Sequence, residues 1–183
     1  MTRRHDVTHE ARFAGQVERY HTWPTHRRQS VGEHTWQVMR IWLEIFGAMS
    51  PEESRYLVWH DAAEVAVGDP PFPVKARSPA LKKAYARLEW EAMMQINAEG
   101  AGVLDRADDE LRLKAKVCDL LEMWEFGICE YAMGNLAAEP IITDTGAAVR
   151  DLIEKLPDGA ARTIEGHMMR LRRRWGPPQE WER

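Results

Sequence analysis

Two histidines and two aspartates stand on apolar stripes of helical spacing, where imidazole and carboxylate groups are costly to bury. His34 falls on the stripe made by Val31, Val38, Ile41 and Ile45. His60 and Asp61 share or border the face of Leu57, Val58 and Val65, with Glu64 one turn beyond them. Asp119 is surrounded by Leu120, Met123 and Trp124, with Lys116 three residues before it and Glu122 three after. Inward polar groups of this kind must be paired, hydrogen-bonded or held on a metal. Taken singly, each has an ordinary explanation, a satisfied core histidine or an aspartate serving as cap or ion-pair partner. Together, two His and two Asp on three helices make a borderline-hard N/O set suited to Zn, Mn, Co, Fe or Mg, with positions left for water and substrate. Helix-bundle interiors are a usual place for such sites.

The elements that must position these residues are helices. Apolar spacing is helical nearly everywhere and no alternating strand pattern stands out, so the chain reads as all-α. Ser30 with Glu33 makes a capping box that opens a helix over about 31–48, and Ser50, Pro51 and Glu53 open the next over about 51–67. Ser78-Pro79 starts a third helix to about 99, closed by the break "EGAGV". A long helix runs from about 107 to "MGN", where Gly134 or Asn135 can cap it. Two shorter helices follow at about 144–155 and 158–175, divided by Pro157. After Glu64 the second helix gives way to "GDPPFPVK", a loop stiffened by three prolines that carries Asp69 and Lys75.

Composition narrows the class. With 183 residues, 44% of them hydrophobic, the chain is long enough for one compact domain without disulfide or metal staples. The net charge of −4 argues against stable nucleic-acid binding, which needs a clustered basic surface. The one basic cluster, "RLRRRW" at 170–175, reads as a last helical turn whose cations favour the negative end of the dipole. No apolar run approaches the roughly 18 residues needed to span a bilayer, and the N-terminus lacks an apolar signal core, so a cytoplasmic protein without membrane contact is expected. Cys118 and Cys129 stand eleven residues apart in one expected helix, too far to bridge, and read as reduced core thiols.

Four stretches in order carry a family resemblance: "EH" at 33–34, "HDAAEV" at 60–65, "GDPPFPVK" at 68–75 and "KVCD" at 116–119. They resemble the signature of HD-domain metal-dependent phosphohydrolases, and most closely the bacterial 5′-deoxynucleotidase branch with its short phage relatives, the phage dATP triphosphohydrolases among them. The resemblance covers about residues 13–135, and the G-D-x-P-x-P-V-K run is far more specific than the HD pair, of which His5-Asp6 in the polar tail is another instance. It implies an HD domain over 13–175, a single helical bundle with the metal site inside, flanked by tails at 1–12 and 176–183.

The resemblance also implies roles. His34, His60, Asp61 and Asp119 are the implied ligands of a divalent metal (Zn, Co, Mn or Mg), and Glu64 is the implied carboxylate that orients or deprotonates the attacking water. Asp69 takes a helper or substrate-orienting role, its alternative being a turn-forming Asp before Pro70. Lys75, Lys116 and Arg19 are implied phosphate partners, Arg19 through a bidentate grip; Lys116 has the alternative of an intrahelical pair with Asp119 or Glu122. The sugar-selecting aromatic lies between Tyr20 and Trp23. Only 26 positions separate His34 from His60, as in the compact phage-type members. The expected activity is hydrolysis of 2′-deoxynucleotides, with dATP to deoxyadenosine and triphosphate favoured and deoxynucleoside monophosphates as the alternative. The competing readings are an alarmone or cyclic-dinucleotide hydrolase, disfavoured because Val65 rather than an acid follows Glu64, and a non-catalytic nucleotide-sensing module. A homo-oligomer, dimer or hexamer, is also implied.

Overall fold

The computed structural model describes residues 10–69 and 78–177. The tails and most of the proline loop, Lys75 included, lie outside the described residues. Helices α1 (Ala11–Ala14), α2 (Val31–Phe46), α3 (Pro51–Trp59), α4 (Glu64–Val67), α5 (Pro79–Ile96), α6 (Ala98–Arg106), α7 (Asp109–Ala132), α8 (Glu139–Ile153) and α9 (Asp158–Trp175) account for nearly all regular structure, as the all-α reading requires. Among the described residues the rest is a 3-10 turn (Leu136–Ala138) and an antiparallel pair of two-residue strands, β1 (Glu18–Arg19) and β2 (Gln29–Ser30), too short to show as alternation in the sequence. No helix among the described residues is long and apolar enough to cross a membrane.

The chain divides into two compact units. The first comprises Met1–Thr22, Arg28–Trp36 and Ser50–Ala107. Its core gathers Ala62, Ala63, Ala92, Met93 and Ala101, with Trp59, Val65, Ile96 and Leu104 packed against them. Small residues dominate there because α6 lies close to its neighbours: a Cβ on Gly100 would stand 3.0 Å from the Trp59 ring. The second unit comprises Trp23–Arg27, Gln37–Met49 and Asp108–Arg183. Here α7 packs against α8 and α9. Val117, Leu121, Phe126 and Ile128 of α7 are buried, as are Val149 and Ile153 of α8 and Ile164 of α9.

Local signals set most helix starts. The Ser50 hydroxyl accepts from Glu53 N at 3.2 Å while Glu53 Oε2 accepts from Ser50 N at 2.6 Å, a complete capping box. Ser78 caps α5 by accepting from Leu81 N and Asp108 caps α7 by accepting from Leu111 N, each without a reciprocal bond, and Gly134 closes α7 with φ +93°.

Five expectations are corrected. The helix expected over 51–67 ends at Trp59, and residues 60–63 form tight turns through Ala62 N to Trp59 O at 3.2 Å and Glu64 N to Asp61 O at 3.0 Å before α4 resumes. "EGAGV" is no break but part of α6; the chain breaks at Asn97, whose extended backbone ends α5 and whose side chain accepts Gly100 N at 2.8 Å. The eighth helix begins at Glu139, one turn earlier than its spacing suggested, because Pro140 sits in its first turn. Val58 is exposed rather than inward, and of the two cysteines only Cys118 is a core thiol, Cys129 standing at the surface.

Candidate metal centre

Within the first unit, α2 and the turn after α3 bring His34, His60 and Asp61 together. One ligand atom of each lies within 4.8 Å of the others. Asp61 Oδ2 is the hub, 3.3 Å from His34 Nε2 and 3.3 Å from His60 Nε2. The two rings are 5.7 Å apart and tilted by 45°. His34 is fully buried.

Neighbours on an α-helix diverge by about 100° around the axis, and His60 keeps helical backbone angles of φ −57° and ψ −36°, yet its Nε2 stands 3.3 Å from Asp61 Oδ2. His60 Nδ1 lies 2.6 Å from the Leu57 carbonyl oxygen, which can only accept, so Nδ1 carries the proton and Nε2 presents its lone pair. That Nε2 is buried with no hydrogen-bond partner among the described residues.

The donor set fits a divalent cation. Two ligand atoms at about 2.1 Å from a tetrahedral ion stand about 3.4 Å apart, and both N···O separations here are 3.3 Å. Burial alone would push the Asp61 carboxyl up, but His60, His34 and Arg19 outweigh it and hold the group well below the usual carboxylate range, in the ionised form a metal requires.

Arg19, buried at the end of β1, places NH1 3.4 Å from Asp61 Oδ2 and Nε 3.9 Å from Asp69 Oδ2. Glu64, also buried, opens α4 one turn after His60. Tyr20 holds a left-handed backbone, φ +56°, uncommon for a bulky residue, with the Arg19 guanidinium 5.7 Å from its ring centre. The structure therefore gathers His34, His60, Asp61, Arg19 and Asp69 by direct contact, with Glu64 and Tyr20 adjoining them in sequence.

The other expected residues belong to the second unit. Asp119 and Lys116 lie on α7, with Lys116 Nζ 2.5 Å from Asp119 Oδ2, so the intrahelical pair forms. Trp23 donates its indole N–H to Ala137 O at 2.9 Å, which anchors the segment it belongs to. Sequence reasoning missed what secures that segment: the buried Glu130 carboxylate accepts from His26 N at 2.7 Å, Arg27 N at 3.2 Å and Asn135 Nδ2 at 2.7 Å. A glutamate on the inner face of α7 was a legible signal, but its backbone partners about a hundred residues away were not.

An all-α fold in which a buried histidine meets an adjacent His-Asp pair defines the HD-domain phosphohydrolases. The chain belongs to the YfbR-like family: the model described as "5′-deoxynucleotidase YfbR-like" matches residues 14–106. It is 32% identical over 141 residues to a dATP triphosphohydrolase of Salmonella phage PMBT28, covering 67% of this chain and 69% of the relative. Its fold is also that of the HD phosphohydrolase DatZ of cyanophage S-2L, solved with dA and one catalytic Zn2+ ion: TM-score 0.72 at 21% identity, covering 90% of this chain and 95% of DatZ.

Proposed function

We propose that this protein is a divalent-metal-dependent phosphohydrolase that converts dATP to deoxyadenosine and triphosphate, with dADP and dAMP as further candidates. The observation that carries the reading is the cluster of buried His34 with half-buried His60 and Asp61, with Arg19 on Asp61 and Glu64 one turn on, in a chain 32% identical to a phage dATP triphosphohydrolase.

In this reading His34, His60, Asp61 and Asp119 hold the ion. A divalent cation held there would supply Lewis-acid activation of water and of a phosphoryl oxygen. Glu64 takes up the proton of the attacking water, a task suited to a buried carboxylate. Attack at the α-phosphorus breaks the bond to the 5′-oxygen, which leaves with a proton as the nucleoside hydroxyl. Arg19, Lys75 and Lys116 offset phosphate charge and Asp69 orients the substrate. Tyr20 crowds the sugar edge where a 2′-hydroxyl would project; the hydrogen bond that commits the Trp23 indole to Ala137 favours Tyr20 for this role.

A second reading, favoured by the family model, is a 5′-deoxynucleotidase that releases orthophosphate from deoxynucleoside monophosphates. The test is incubation of metal-loaded protein with the four deoxynucleoside mono- and triphosphates and their ribo counterparts, followed by product separation. Deoxyadenosine plus triphosphate from dATP alone supports the first reading and orthophosphate from monophosphates alone the second. No release from any substrate, with nucleotide still bound, refutes both in favour of a sensing module. The proposed working form is a soluble homo-oligomer, dimer or hexamer, in a bacterial or phage-infected cytoplasm, which light scattering tests for assembly size.

A further inference from the structure

We infer that Gly32 is a positioning residue for the metal centre: its missing side chain sets how closely the segment carrying His34 approaches the segment carrying Arg19. The inference rests on the metal reading above. Residues 15–19 run antiparallel to residues 29–32. Gly32 N donates to Gly15 O at 3.0 Å and Val31 N to Val17 O at 2.8 Å, and the register continues with Glu18 opposite Ser30 and Arg19 opposite Gln29. Arg19 leaves this ladder at one end and His34 follows Gly32 at the other. Both side chains reach the same atom, Asp61 Oδ2, at 3.4 and 3.3 Å.

The two glycines that face each other are not equivalent. A Cβ built on Gly32 would stand 2.9 Å from the Gly15 carbonyl oxygen and 3.3 Å from its Cα, backbone atoms that no rotamer change can move aside. A Cβ on Gly15 would meet nothing nearer than Gly32 Cα at 3.5 Å, an ordinary contact. Gly32 is also in the first turn of a helix, where alanine is intrinsically better by up to about 1 kcal/mol, so its glycine is explained by proximity and not by helix formation. A methyl group at 32 must open the ladder by a few tenths of an ångström and carry the first turn of α2 with it. Ligand distances tolerate about 0.2 Å, so His34 leaves its place while the helix itself survives.

The experiment titrates metal-free protein with Co2+, following the visible d–d bands alongside thermal melting, for wild type, Gly32→Ala and Gly15→Ala. Gly32→Ala should bind Co2+ about 10–100-fold more weakly, the range typical of lost support around a ligand, and with altered bands; Gly15→Ala should stay within about two-fold of wild type. Wild-type affinity and bands in Gly32→Ala, or equal weakening in Gly15→Ala, would overturn the inference. Should Gly32→Ala fail to fold, Val31→Pro tests the same ladder, since it removes the N–H given to Val17 O at a first helical position that accepts proline. Weakened Co2+ binding there sustains the inference and unchanged binding overturns it. A wild type that binds no Co2+ brings down the metal reading itself, and the inference with it.

Discussion

Replacing Glu130 by glutamine keeps the shape of a fully buried side chain and removes its charge. In the native protein Oε2 accepts from His26 N and Asn135 Nδ2, and Oε1 accepts from Arg27 N. A glutamine has one acceptor oxygen. In its better orientation the oxygen keeps the first two donors, each weakened by about 1 kcal/mol on losing charge assistance, and the new NH2 faces Arg27 N, leaving a donor unsatisfied for about 1–3 kcal/mol. The expected loss is therefore about 3–5 kcal/mol, which at about 2–4 °C per kcal/mol for a chain of this size lowers the melting temperature by about 6–20 °C. Burial alone would push Glu130 up, but the His26 N–H, the Asn135 amide and the Arg27 N–H outweigh it and hold the carboxyl below its ordinary range. A depressed pKa gives stability that is present above the unfolded value and is lost as pH falls through the folded one. The gap between wild type and variant should accordingly be full at neutrality and shrink in acid. Thermal melts of both proteins across pH check this. A variant melting within about 2 °C of wild type at neutral pH would refute the reasoning, as would a gap that widens in acid.

The proposed division of labour at the metal centre predicts that His60→Ala and Asp61→Ala lose bound metal and activity together, whereas Glu64→Ala keeps its metal and loses about 10²–10⁴-fold in turnover; elemental analysis beside a product-release assay decides, and equal metal loss in all three would remove the separate role of Glu64. Thiol labelling of the native protein should modify Cys129 and spare Cys118, whose thiol burial and the nearby Asp119 and Glu125 carboxylates push up, and denaturant should expose both. Gly127→Ala would press a methyl group to 3.0 Å from Ile142 and 3.2 Å from Ile141 where α7 meets α8, and should cost about 1–3 kcal/mol in denaturant unfolding.

Much of the site was legible because its residues break a local rule. His34, Asp61 and Glu64 are charged or polar groups on inward faces. Helix starts were legible for a similar reason: Ser50 and Ser78 each satisfy an N–H three residues away, so both partners lie within one short window. What escaped depends on partners far along the chain. Asn97 ends α5 where a glycine-rich stretch seemed the better breaker, because Gly100 and its neighbours are kept helical by packing on Trp59 and Met93.

The amino-acid sequence alone therefore determined the all-α class and the candidate ligand types, since periodicity, capping and the cost of buried charge act over a few residues. Tertiary structure decided the rest. Only the ladder of 15–19 on 29–32 sets Arg19 and His34 on the same carboxylate oxygen. Only packing against Ala137, His26 and Arg27 shows that Trp23 and Glu130 secure one segment. Those facts are distances between residues tens of positions apart, and such distances are fixed by how elements pack, which no window of sequence contains.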